Sequence, residues 1–179
     1  MSPVHSQRGL SMIETLVALA IGGLILLVAV PALTTVVDRS RLDIATRQLA
    51  NDLRTAQSRA ITTGWEYKLV GFGSASSSAM RNRYRLLGRR TTTVAWPLDT
   101  DSPFTSTTQM AGSWNDLSLI NSDLQIVPGG TGADARYEIS FNALGGVNVA
   151  TGDFAPFQLR VKNDLASIRV SAAGGVTTQ

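Results

Sequence analysis

Cysteine is absent from this chain, and histidine occurs once, at His5. The first absence rules out a disulfide framework and thiolate chemistry. The second leaves residues 6–179 without an imidazole, so a zinc site, a histidine general base and a His-based triad are excluded there. Glutamate is nearly as scarce, and beyond Glu14 only Glu66 and Glu138 occur, neither in a recognisable site. Asp99 and Asp101, followed by Asp116 and Asp123, lack the glycine and the terminal bidentate acid of a calcium loop, so solvent exposure accounts for them. The composition points away from an enzyme, and no metal or cofactor is expected. Lysine is rare too: of sixteen basic residues, all but Lys68 and Lys162 are arginine. The net charge of +3, with a pI of about 9.8, accommodates an acidic partner or lipid headgroups without requiring either.

What the chain does have is one long apolar run, Leu10 to Leu33. Its 24 residues make about 36 Å of helix, enough to cross a hydrocarbon layer of about 30 Å. Gly22, Gly23 and Pro31 lower helix propensity within it and mark where the helix can kink or loosen. Lipid or neighbouring helices make such interruptions tolerable. Past Pro31 the pattern turns amphipathic, with Leu42, Ala45, Leu49, Leu53, Ala56 and Ala60 on one helical face. Asp38 with Arg41, Arg39 with Asp43, and Asp43 with Arg47 are spaced for pairing on the wetter faces. Gly64 is the expected C-cap, which gives one helix over about residues 10–63.

Beyond Gly64 the helical period gives way to short runs of β-branched and aromatic residues between Gly, Pro, Asn and Asp clusters. Strands are predicted at Glu66–Phe72, Arg81–Leu87, Thr91–Trp96, Leu117–Ile120, Leu124–Val127, Arg136–Phe141, Gly146–Ala150, Phe157–Val161 and Ala166–Ser171. Turns are expected at residues 73–78, 88–90, 128–132, 142–145 and 162–164, and an exposed loop over Asp99–Ser113. Trp65, Trp96 and Trp114 are expected in the core or on a sheet face.

Glu14 is the exceptional residue, a carboxylate four residues into the apolar run, where burial in lipid costs about 2.5–3.5 kcal/mol. Ahead of it stand a polar leader bearing Arg8, the Gly9-Leu10 junction, and then Leu10-Ser11-Met12-Ile13-Glu14-Thr15-Leu16. This region resembles the cleavage and methylation region of type IV prepilins and type II secretion prepseudopilins. The resemblance implies cleavage by prepilin peptidase between Gly9 and Leu10 and N-methylation of Leu10. It also implies that the Glu14 carboxylate pairs with the terminal amine of a neighbouring subunit, each charge offsetting the other's desolvation. Gly23 and Pro31 would bound a stretch that loosens on filament assembly. The family often has Phe where Leu10 stands and Leu or Val where Thr15 stands.

The long helix, central strands and C-terminal hairpin through Ser167-Ile168-Arg169-Val170-Ser171 resemble the GspH/FimT branch of minor pseudopilins and minor pilins. Arg59-Ala60-Ile61 resembles that branch's helix end. The expected architecture is therefore α+β and pilin-like. Residues 1–9 form a leader, 10–33 the transmembrane half of a helix, 34–63 its amphipathic half, and 64–179 an antiparallel β-domain of one or two sheets. The implied function is that of a minor pilin or pseudopilin in a type II secretion pseudopilus or type IV pilus. Its partners would be other pilins, prepilin peptidase, an assembly platform and the membrane. A single pass in the inner membrane would leave the β-domain outside the cytoplasm, in agreement with Arg8 on the leader side.

Two other readings compete. Arg81, Arg83 and Arg85 alternate along a predicted strand, and Arg89 and Arg90 follow in the turn, so this run is a candidate anionic or nucleic-acid surface of a DNA-uptake pilin. The bland reading is a solvated strand face or a charged edge, and Gly174-Gly175-Val176-Thr177 lacks the arginines of the DNA-binding motif in FimT-like proteins. Alternatively, Val30-Pro31-Ala32 is a conventional signal-peptidase site that releases a secreted β-domain beginning near Leu33.

Overall fold

The computed structural model describes residues 11–73, 81–127, 136–148 and 157–179. The leader, the Gly9-Leu10 junction, the turn at 128–132 and most of the turn at 73–78 lie outside the described residues, as do the last two residues of the strand predicted to end at Ala150. The chain divides into two compact units, Met1–Val37 and Asp38–Gln179.

One helix, α1 (Met12–Thr63), runs without a break through Gly22, Gly23 and Pro31. Around the proline, Thr34 and Thr35 donate their hydroxyls to the Pro31 carbonyl at 2.9 and 3.1 Å. Thr15 likewise donates to the carbonyls of Ser11 and Met12. Hydroxyls satisfied on their own helix can enter an apolar medium at little cost. In the first unit the described side chains are exposed almost throughout. In the second unit Leu42, Ala45, Leu49, Leu53, Ala56 and Ala60 are buried, the stripe that the 3.6-residue period requires. Gly64, at φ +70°, ends the helix, and its N–H donates to the Ala60 carbonyl at 3.0 Å.

Among the described residues the β-structure is antiparallel and forms two sheets. The larger contains β1 (Glu66–Phe72), β2 (Arg83–Arg89), β3 (Phe104–Thr105), β4 (Gln109–Ala111), β5 (Asn115–Asp116), β7 (Arg136–Phe141) and β8 (Val147–Asn148). Its strand order is β3-β4-β2-β1-β7-β8, with β5 beside the start of β2. The smaller contains β6 (Leu124–Val127), β9 (Phe157–Val161), β10 (Asp164–Val170) and β11 (Val176–Thr178), in the order β11-β10-β9-β6. One core joins the helix stripe to both sheets, through Tyr67, Leu69, Tyr84 and Phe141 of the larger and Ile126, Leu159 and Ile168 of the smaller. The Tyr84 hydroxyl donates to Asp52 of α1 at 2.6 Å, and burial together with that carboxylate raises its pKa.

Residues of β1 are buried on both faces. Tyr67 and Leu69 meet the helix, whereas Val70, with Leu87 and Ala111, forms a second small core beneath Phe72, Trp96 and Phe104. That second core explains the main departures from expectation. Asp99–Ser113 contains β3 and β4 and folds over the outer face of the larger sheet instead of forming an exposed loop. Thr91–Trp96 is not a strand: Val94 N–H returns to the Thr91 carbonyl, turning the chain so that Trp96 lies against that face. Leu117–Leu119 is a single 3-10 turn, because the Asp116 carboxylate caps the Ser118 amide. The strands expected from Arg81 and Ala166 begin instead at Arg83 and Asp164. Of the helix-surface pairs, Asp43 meets Arg47, while Arg39 and Asp38 reach across to Asp164 and Lys162.

Two positive-φ positions close the structure. Asn82 (φ 55°) accepts Leu117 N–H on its carbonyl and Ile126 N–H on its side chain, linking the start of β2 to the edge of β6. Gly174 (φ +86°) lies so near Gln57 and the Gly145 carbonyl that a Cβ there would collide with both. Gly174→Ala should therefore lower the unfolding free energy by about 1–3 kcal/mol, and Tyr84→Phe, which leaves Asp52 without its donor, by about 1–2 kcal/mol. Denaturant unfolding followed by tryptophan fluorescence measures both; an unchanged midpoint for Tyr84→Phe would mean that Asp52 does not tie the helix to β2.

Candidate functional site

Glu14 lies on α1 two residues past its first residue, with its N–H donating to the Ser11 carbonyl at 3.0 Å. Around it Met12, Ile13, Leu16, Val17 and Leu19 are all exposed. No described residue pairs with its carboxylate. A charged group in the open, on a helix long and apolar enough to cross a membrane, needs a partner from elsewhere once that helix leaves water. Gly22 and Gly23 have nothing within 4 Å of where a Cβ would stand. That open side allows another helix to approach closely.

The arginine run is dispersed by the fold. Arg83, Arg85 and Arg89 share the outer face of β2 as the alternation requires, but each is engaged. Arg83 pairs with Asp116 at 2.8 Å. Arg89 pairs with Glu66 at 2.6 Å, donates to the Val94 carbonyl at 3.2 Å and lies 4.5 Å from the Trp96 ring centroid. Arg85 is fully buried: its Nη1 donates to the carbonyls of Asp99 (3.2 Å) and Asp101 (2.9 Å), and its guanidinium stands 5.0 Å from the Trp114 ring. Burial pushes the Arg85 pKa down, while the carboxylates of Asp99 and Asp101 pull it back up. Arg81 and Arg90 alone of the five are exposed. The arrangement anchors a loop; the five guanidinium groups do not converge on one open surface.

Sequence reasoning missed the groups that complete this network. Lys68 pairs with Glu138 at 3.2 Å and faces Trp96 at 4.8 Å, and Arg136 bridges Asp99 (3.0 Å) and Glu138. Their period-two spacing in β1 and β7 was visible, but the strand order that makes them neighbours was not. Of the four aspartates expected in solvent, Asp123 is exposed, whereas the other three are structural: Asp99 and Asp101 present carbonyls to Arg85, and Asp116 both caps a turn and pairs with Arg83. Desolvation raises the Asp116 pKa, but the hydrogen bonds from Ser118 and Arg83 outweigh it and leave the group below the ordinary carboxylate value. The Lys162 hydrogen bond lowers Asp38 in the same way.

Residues 4–30 match the family model of the prokaryotic N-terminal methylation motif. The chain carries the N-terminal signal of the type IV pilin and pseudopilin superfamily. The pilin signal ends inside α1, covering Glu14 and Gly23 and stopping one residue before Pro31. It supports a pilin or pseudopilin that is a substrate of prepilin peptidase, and the long apolar helix with antiparallel sheets behind it is consistent with a pilin-like α+β fold. Neither the curated proteins nor the solved structures gave a match to the chain.

Two outcomes follow for the globular unit. Replacing Arg85 with alanine should destabilise it by about 3 kcal/mol and expose the 98–103 segment to proteolysis, whereas Arg90→Ala should stay within about 0.5 kcal/mol of the parent. Because Asp38 and Asp116 have lowered pKa values in the folded state, their contribution is complete above the ordinary carboxylate range, about pH 4, and lost as the pH falls through the lowered values. Melting temperature measured from pH 6 to pH 2 should decline more gently at the acid end in Asp116→Asn; an identical acid limb would assign the loss to other carboxylates.

Proposed function

We propose that this chain is a minor pilin or pseudopilin of the GspH/FimT kind, a structural subunit of a type II secretion pseudopilus or a type IV pilus. The observation that carries the reading is one carboxylate, Glu14, on an uncovered apolar helix within the matched methylation motif. Prepilin peptidase cuts between Gly9 and Leu10, and the Leu10 amine is methylated. That amine then meets Glu14 of a neighbouring subunit where neither charge is well solvated, so the correct axial register is favoured over any that leaves the two apart. Gly23 and Pro31 are the positions where the assembled helix loosens. Before assembly, residues 10–33 hold the subunit in the inner membrane by a single pass, with residues 64–179 on the extracytoplasmic side. Other pilins and an assembly platform are its partners.

The DNA-uptake reading has no comparable support, since Arg85 is buried and Arg83 and Arg89 are neutralised by Asp116 and Glu66. Intact mass and N-terminal sequencing of the membrane-extracted protein should give a chain that begins at methylated Leu10. A start near Leu33 would replace this reading with a conventionally secreted domain. Glu14→Ala should leave cleavage intact and reduce filament incorporation about tenfold or more, the factor produced by about 1.4 kcal/mol of lost pairing; incorporation at the parent level would remove the register role.

A further inference from the structure

The margins of the two sheets are finished differently. On β6, an outer strand of the smaller sheet, the N–H groups of Leu124 and Ile126 are taken by the Asn121 carbonyl and the Asn82 side chain. On β8, an outer strand of the larger sheet, Val147 N–H donates to the Ala172 carbonyl at 3.0 Å. At the opposite margin β3 turns one of its two residues outward, Thr105, because Ser106 N–H bonds the Gln109 carbonyl and antiparallel pairs alternate. β11 is the other outer strand of the smaller sheet. Ser167 and Gln179 exchange both backbone bonds, so the same alternation turns Thr177 toward β10 and Val176 and Thr178 away from it. The N–H groups of Val176 and Thr178 and the Thr178 carbonyl have no partner among the described residues. The Val176 carbonyl accepts from Arg54 of α1 at 3.1 Å, which sets a guanidinium at this edge.

The edge is also positive. Arg54 and Arg169 are exposed and enter no ion pair among the described residues. Arg169 stands directly opposite Thr177 and is the only charged residue from Leu165 to Thr178. The helix neighbours of Arg54 at three and four residues, Ala50, Asn51, Gln57 and Ser58, are uncharged. We infer that the β11 edge is an interaction surface for an extended, acidic segment of another protein, which adds to the smaller sheet as a fifth strand. The incoming backbone accepts from Val176 and Thr178 and donates to the Thr178 carbonyl, and a carboxylate on it meets Arg54. A second copy of β11 is the poorer occupant, because it brings another Arg54 and Arg169 to the same edge. The edge lies wholly within Asp38–Gln179 and is independent of how residues 10–33 are used.

The full chain in detergent micelles, isotopically labelled and titrated with a short capped peptide of alternating threonine and glutamate, should show saturable binding by nuclear magnetic resonance. Hydrogen exchange should slow at the Val176 and Thr178 amides and stay unchanged at Thr177, whose amide already faces β10. The same peptide N-methylated at every residue keeps its charge but cannot pair, and should not bind. Lysine in place of glutamate, or Arg54→Ala in the protein, should weaken binding about tenfold. Thr178→Pro removes one edge donor and leaves the bonds of Thr177 and Gln179 to β10, so it should weaken binding about fivefold. Both variants should keep the parent tryptophan emission. Equal binding of the N-methylated or lysine peptide, affinity unchanged by Arg54→Ala, protection spread evenly over residues 176–178, or no saturation at millimolar peptide would each overturn the assignment. Protection of Val176 and Thr178 that grows with protein concentration in the absence of peptide would give the edge to a second copy instead.

Discussion

One helix has to satisfy two solvents, and the remainder of the molecule follows from how it does so. Its first part is apolar on every side and uncovered, whereas from Leu42 onward the apolar residues, Ile44 and Ile61 apart, gather on one buried stripe. Alanines at 45, 50, 56 and 60 alternate with leucines at 42, 49 and 53, so two sheets can approach the helix closely while the leucines fill the space between. The polar ties run along the same element. Asp38 binds Asn121 and Lys162, Asp52 binds Tyr84, and Gln57 donates to the Gly145 and Ala173 carbonyls. Hydrophobic burial sets the helix against the sheets, and these directional bonds set its register there.

The larger sheet has a second task, since one face meets the helix and the other must be covered by something else. The cover is the chain from Trp96 to Trp114, and it is fastened by cations. Arg85, Arg89 and Lys68 stand against Trp114 or Trp96 while binding carboxylates or carbonyls. Guanidinium suits this work, because a planar group can stack on an indole and still donate at its edges. The abundance of arginine over lysine therefore reflects, in part, construction of this face. A strand with alternating arginines reads as a surface for polyanions until the loop that covers it is placed.

The amphipathic helix was legible over its full length because its period persists for several turns. Glu66–Phe72, Leu124–Val127, Arg136–Phe141 and Phe157–Val161 were legible as strands because turn residues or a change of period bound each run. Phe104–Thr105, Gln109–Ala111 and Asn115–Asp116 were not, since strands of two or three residues have no measurable alternation and exist only through their partners. Leu117–Leu119 failed for a related reason: its apolar residues fit a strand, and one capping carboxylate decided for a turn. At the site, Glu14 was legible because a carboxylate in an apolar run stands out against its neighbours. The fates of Arg83, Arg85 and Arg89 were not, because an identical alternation serves an open strand and a covered one.

The sequence by itself determined that this chain has an apolar helical start bearing a lone acid, an amphipathic continuation and a β-rich remainder without thiol or imidazole chemistry. These are properties of composition and short-range spacing, and they hold however the strands are ordered. Only the tertiary structure decided that the strands form two sheets on one helix stripe, that Arg85 is interior, and that Asp38 gathers Asn121 and Lys162. Those outcomes bring together residues separated by up to 124 positions, and no local pattern encodes which distant charge a given side chain will meet.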